Sequence, residues 1–405
     1  MANRPRALDP QASPAALFGA ELRALRQRRS LSLAAVGRLV HVSGDLIGKI
    51  EKADRRPQPD LVTRLDRALE AEGAIERLGH GVVNDDDPDS GSAPGSRAEP
   101  VLSPDDAPTR LRQVIDTVRN GDHAMNDRAD PGTLISHALA AERVLPGVRQ
   151  TERAQLYASI AEAHQLAGWI SFDRGRPRQA ERLLGTARSW VERTTEPALA
   201  AFVLGPNLSF VATYGGDPAL GVERAYGAIG WARRSGNHRL TGFAMAIGAR
   251  AHARLGETDL CLDLLDQAGT ELERHDTDGH DPDAHRWLSV FDRAALDGHC
   301  GSCLLDLDQP GLALAPLAEQ ERTSPHQFVR NRVIWRLDRI DALLRLGEVD
   351  QACADLDAAT DTATGVTPRV LRRFAAIGLR LDVLPRSAAT TDALDRLRLL
   401  SAASA

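Results

Sequence analysis

The sequence predicts an all-α protein made of a small helical head and a long array of paired helices. Three observations carry this. Apolar residues recur at helical spacing with no strand-like alternation, an acidic Gly- and Pro-rich stretch interrupts them beyond residue 83, and from residue 153 the chain repeats itself at a period of about 40 residues. With 405 residues, 42% of them hydrophobic, the chain is long enough for at least two cores.

The head occupies residues 14–82. Phe18, Leu22 and Leu25 share one face of a first helix, Leu33, Val36 and Leu39 of a second, Leu46, Ile47 and Ile50 of a third, and Leu61, Leu65 and Leu69 of a fourth. Ser32 and Ser43 stand where N-caps of the second and third helices belong, and Pro57 and Pro59 precede the fourth. The connection Leu39-Val40-His41-Val42-Ser43 is too short for an antiparallel hairpin and makes helices two and three cross steeply. Met1 to Gly81 carries 14 basic and 10 acidic side chains, whereas the whole chain has a net charge of -6, so the head is the part suited to a polyanion.

Residues 83–108 read as an acidic flexible linker, since the run NDDDPDSGSAPGSRAEP holds almost nothing apolar to offset the entropy of ordering it. The remainder, 109–405, is the array. Its turn residues fall at Gly175, Gly216, Gly256, Asp308 and Gly347, with a His- and Asp-rich insertion around 275–285. Five residues after each turn stands a small or slight side chain: Ala180, Gly221, Cys261, Ala313, Ala352. Seven further on come Ala187, Ala228, Ala268 and Ala359, with Gln320 breaking the series; seven before lie Gly168, Ser209, Ala249, Gly301 and, discordantly, Ile340. Small residues at fixed offsets let paired helices approach closely.

The segment SLAAVGRLVHVSGDLIGKIEKADRRPQPDL resembles the helix-turn-helix of XRE/Cro-type repressors, with Gly37 where the helices touch, Val36, Val42, Ile47 and Ile50 at the motif's core positions, and His41 where a left-handed Gly is usual. The resemblance implies a lambda-repressor-like head whose third helix presents Ser43, Gly44, Asp45, Gly48, Lys49 and Lys52 to double-stranded DNA. Lys49 could donate to guanine and Asp45 accept from cytosine, while Lys52, Arg55, Arg56 and the helix N-termini at Ser32 and Ser43 neutralise phosphate. The bland reading of the same charges is a solvated surface. Arg26 and Glu51 stand at positions that form a partly buried ion pair in such repressors; the alternative is two exposed charges.

The array resembles tetratricopeptide (TPR) repeats, as in TPR-like domains attached to XRE heads in actinobacterial regulators. In that register residues 109–150 and 366–405 are capping helices, and Glu162, Gln165, Trp169, Asn207, Phe210, Phe243 and Arg250 line the concave groove. Asn207 is the sharpest of these, because a groove asparagine can hold both N–H and C=O of an extended peptide; equally, it could satisfy a neighbouring backbone group. Trp169, Phe210 and Phe243 read either as core or as a ligand box.

Other chemistry is excluded or demoted. Cys300 and Cys303, with His299, His280 and His285 nearby, have the residue types of a zinc site, but they flank the helix-packing Gly301 and read as core. No phosphate loop, nucleophile elbow or H-E-x-x-H occurs, so neither an enzyme nor a cofactor is expected. The start lacks an apolar leader and no window approaches about 18 uninterrupted apolar residues, so a cytoplasmic chain is expected. The leading expectation is a homodimeric DNA-binding regulator whose array senses a peptide, small molecule or protein. The alternative is an interaction scaffold or antitoxin-like partner with feeble DNA binding, since two of six recognition positions are glycine.

Overall fold

The computed structural model describes residues 14–69, 71, 75–76, 78–79, 100–125, 129–194, 196–277, 286–325, 327–363 and 365–403, and among these there is helix and turn but no strand. The linker residues 83–99, and His280 and His285, lie outside them. The chain divides into two compact units, Met1–Gly95 with Pro368–Ala405, and Ser96–Thr367.

The head is built from α1 (Pro14–Arg28), α2 (Leu33–Leu39), α3 (Gly44–Glu51) and α4 (Pro59–Ala68). The Ser32 and Ser43 hydroxyls each accept a backbone N–H at 3.1 Å, from Ala35 and Leu46, which satisfies donors that a helix start leaves orphaned. Phe18, Leu22, Val36, Ile47, Ile50, Leu61, Leu65 and Leu69 form the core, joined by Ile75. Leu39, assigned to that core from its spacing, is instead 52% exposed, and Val40 is buried in its place. The helix ends at Leu39, and the change of direction that follows carries the next side chain inward. His41 takes the left-handed conformation, φ 57°, that the short turn requires. Ala53 does the same after α3 (φ 61°), with the Asp54 N–H on the Lys49 carbonyl and the Ala53 N–H on that of Ile50.

Two further helices, α17 (Pro368–Asp382) and α18 (Ala388–Ala403), belong to the head's unit, not to the end of the array where the repeat register placed them.

The second unit stacks six helix pairs among the described residues: α5 (Ala107–His123) with α6 (Pro131–Val144), α7 (Gln150–Asp173) with α8 (Pro177–Val191), α9 (Pro197–Gly215) with α10 (Pro218–Ser235), α11 (His238–Leu255) with α12 (Thr258–Thr277), α13 (Arg293–Asp306) with α14 (Pro310–Thr323), and α15 (Val329–Leu346) with α16 (Val349–Thr362). It is a TPR-like α-solenoid. Each of the five turn residues has positive φ, Asp308 at 58° among four glycines. The small residues pack as their spacing requires: Ala180, Ala187, Ala228, Cys261, Ala268, Ala313 and Ala359 are fully buried, and a Cβ on Gly168 would come within 2.8 Å of Leu184 Cγ. Gln320, the exception, is buried with its Nε2 lacking a hydrogen-bond partner.

Helix α9 is long and apolar enough to cross a membrane by length and composition, more so than the sequence suggested, but 78% of its apolar window is buried inside the array. It is also wound as a π-helix over Val203–Ser209, around Pro206. Proline has no N–H, so the carbonyl of Phe202, four residues earlier, loses its ordinary helical donor.

Candidate functional site

On the head, α2 and α3 cross through glycine. A Cβ on Gly37 would lie 2.6 Å from the Val42 carbonyl oxygen, and one on Gly44 would lie 2.9 Å from Cα and N of Ala34. Gly48 faces the Leu33 side chain at 3.3 Å. Gly44 and Gly48 were assigned to the exposed recognition face; both instead face α2, and the missing side chain of Gly44 is what lets α3 lie so close to it. On α1, Gly19 performs the same service, since a Cβ there would meet the Ile50 carbonyl oxygen at 2.6 Å. Sequence reasoning missed it because nothing in a single helix marks where a neighbour's backbone passes.

What α3 turns to solvent is therefore Ser43, Asp45, Lys49 and Lys52, with Arg55 in the turn beyond; Ser32 is exposed at the start of α2, and Arg56 is half-buried and partnered. Asp45 and Lys49, read as separate base contacts, form an i,i+4 ion pair at 2.9 Å with side chains 75% and 54% exposed. Such exposed pairs contribute well under about 1 kcal/mol, so a stronger partner could separate them.

Behind this face Arg26 of α1 grips Glu51 of α3, Nε to Oε1 at 2.5 Å and Nη2 to Oε2 at 2.9 Å. The Arg26 guanidinium also donates to the Leu31 carbonyl at 2.9 Å, and Arg23 to the Glu51 carbonyl at 3.1 Å. The bond to the Glu51 carboxylate raises the Arg26 pKa further, burial notwithstanding. The pair ties α1 to the end of α3.

In the array, the seven residues assigned to an open groove lie inside the unit, all but Trp169 buried and engaged with neighbours. Glu162 meets Arg119 at 2.5 Å and Arg112 at 3.3 Å. Gln165 Nε2 donates to Asn207 Oδ1 at 2.8 Å, and Asn207 Nδ2 donates to the Phe202 carbonyl at 2.8 Å. The amide assigned to a peptide backbone is thus occupied by the Phe202 carbonyl of its own helix and by Gln165. Trp169 packs on Phe210 (5.7 Å between centroids), Phe210 on Tyr214 (4.5 Å), and Arg250 Nε donates to the Tyr214 hydroxyl at 2.5 Å. Phe243 belongs to a different group, stacked on Phe291 at 4.5 Å.

The residues that close this interior were not legible beforehand. Arg330 of α15 reaches Asp122 of α5 at 2.5 Å, a contact 208 residues apart in the chain, and lies 5.4 Å above the Trp169 ring. His123, beside them, is held neutral: burial first, then the charges of Arg330 and Arg119, lower its pKa to about 3. The Nε atoms of Arg119 and Arg330 and Oε1 of Gln165 are buried without a hydrogen-bond partner. A separate pocket of about 350 Å³ is lined by Arg239, Glu273, His275, Asp276, Asp292 and Arg293.

Among the described residues, which leave out His280 and His285, no group of three His, Cys, Asp or Glu side chains is placed to hold an ion. Burial raises the Cys300 thiol to about 11, and Cys303 higher than its ordinary value, as suits packed thiols.

Comparison with known proteins agrees with the head alone. No curated protein matches the chain. Among solved structures, the apo form of the quorum sensor NprR from B. thuringiensis is similar over 91% of this chain and 85% of that one, at 11% identity and a TM-score of 0.44. Residues 17–78 match the family described as a helix-turn-helix domain, and the head is a domain of that kind.

Proposed function

We propose that the protein is a non-enzymatic, cytoplasmic transcription regulator that binds double-stranded DNA as a homodimer and whose array binds an effector. The observation that carries the DNA reading is the face of α3: Asp45, Lys49 and Lys52 outward, with the capped N-termini of α2 and α3 beside them, on a helix-turn-helix domain. Lys49 is the long donor placed for a base edge; Lys52, Arg55 and Arg56, with the amides at Ser32 and Ser43, supply phosphate contacts. Gly44 and Gly48 contribute packing, not readout. For the array, the buried orphan atoms of Arg119, Gln165 and Arg330 favour a small polar ligand or a peptide end over an apolar one.

A second reading rests on the Asp45–Lys49 pair, which neutralises the recognition face and suits an interaction scaffold or antitoxin-like partner that binds DNA weakly. Titration of the full chain onto duplexes selected from random sequence, across a salt series, separates the two. The regulator reading expects a selected sequence, a linear fall of log K with log salt, and Lys49→Ala relaxing preference at one base position per half-site by about 1–3 kcal/mol. Arg55→Ala should weaken all sequences alike and reduce the salt slope by about one. Absence of any sequence preference favours the scaffold.

A further inference from the structure

We propose that the C-terminal hairpin α17–α18 is a built-in part of the head, so that the helical array is inserted between two segments of one domain and acts on α1 through its C-terminal end. The argument begins with α1, which has two buried faces. Phe18 and Leu22 enter the head core, whereas Leu17, 2% exposed, is buried outside that core. Leu17, Glu21, Ala24 and Arg28 fall on one stripe at helical spacing. Helix α17 lies against α1, and at the end of the stripe Arg28 meets Asp382 at 2.7 Å while holding Glu21 at 3.1 Å. Burial raises the Glu21 carboxyl above its ordinary value despite Arg28 beside it, as a covered face requires.

The hairpin is equipped for this position. Val370, Phe374, Ile377 and Leu381 form an apolar stripe along α17, all nearly fully buried, and none belongs to the array's core. Ala393, Leu394 and Leu397 of α18 are buried as well, and Ser387 and Thr390 cap its start, the Thr390 N–H donating to Ser387 Oγ at 3.2 Å. Residues 368–405 hold seven arginines against three aspartates, a basic balance like the head's. The repeat register gave them only the place of a capping pair after α16.

The chain therefore leaves the head's unit near residue 95, runs through the array, and returns at 368. A domain attached by one linker can transmit little more than tension. Here the C-terminal end of the array leads into α17, which lies against α1, and α1 is the helix that Arg26 ties to α3. The inference holds whether or not the head binds DNA.

Hydrogen exchange on the full-length chain tests it. Leu17→Asp, placed outside the head core, should speed exchange in residues 368–403 about tenfold or more while α3 and the array keep their protection. Asp382→Arg should speed exchange in α1 by roughly twofold to fivefold, the effect of losing one partly exposed ion pair. Unchanged exchange in 368–403 after Leu17→Asp overturns the proposal. In a second measurement, Arg28→Cys with Asp382→Cys is joined by a short bis-maleimide: a cross-linked monomer is expected, and a band of twice the mass would show the hairpin docking on another copy, which overturns it too.

Discussion

Arg26 and Glu51 lie 25 residues apart in the chain and meet through two hydrogen bonds, 2.5 and 2.9 Å, with the carboxylate side chain only 4% exposed. Removing the guanidinium would leave a buried charge short of its main partner. Arg26→Ala is expected to destabilise the head by about 3 kcal/mol, the low end for a broken buried pair because Arg23 remains 3.5 Å away. All Trp and Tyr residues lie between 157 and 335, so fluorescence is blind to the head and hydrogen exchange in α3 is the measurement. Unchanged protection would mean that the pair contributes nothing.

The two glycines of α3 should respond in opposite directions. Gly44→Ala brings a methyl against the backbone of α2, which cannot step aside, and should cost about 1–3 kcal/mol. Gly48→Ala meets only the flexible end of Leu33 and gains helix propensity, so it should be neutral or stabilising by up to about 1 kcal/mol. Protection of α3 in the two variants, compared side by side, checks this. Equal effects would contradict the close crossing.

Asn207→Ala removes a side-chain donor to the Phe202 carbonyl and the acceptor that serves Gln165. A loss of about 1–3 kcal/mol is expected in urea unfolding followed by tryptophan fluorescence, which reports the array alone. A wild-type midpoint would show that water serves both groups equally well.

At Asp308, the one of the five turn residues that is not glycine, Asp308→Gly should stabilise the array by about 0.5–1 kcal/mol. The relief of left-handed strain outweighs both the added freedom of the unfolded chain and the loss of an exposed contact to Arg345 at 3.3 Å. The same fluorescence assay reads it.

His123 makes the array sensitive to acid. Its imidazole stays neutral in the fold down to about pH 3, whereas the unfolded chain takes up that proton near 6.5, so between those values the unfolded state binds more protons. Stability should fall as pH drops from 6.5, by up to about 1.4 kcal/mol per unit from this group, with no contribution above 6.5. His123→Phe keeps an aromatic edge for Phe328, whose ring centroid lies 5.0 Å away, and should flatten that part of the pH–stability curve.

Much of this protein is legible in the order of its residues. Helix starts are written in Ser32 and Ser43, the left-handed turn in His41, and the repeat in Gly175 to Gly347 with their small partners, because each depends on groups a few residues apart. Amphipathic spacing determines an all-α chain and the helix-turn-helix in the same way. Tertiary structure decided what each face meets. Gly44 and Gly48 look like an empty recognition surface until α2 is laid across them. Asn207 looks free until the π-wound turn around Pro206 sets its Nδ2 on the Phe202 carbonyl and Gln165 arrives from α7. Arg330 and Asp122, or Arg28 and Asp382, are brought together by packing over hundreds of residues, and periodicity within one helix carries no record of which distant helix will cover it.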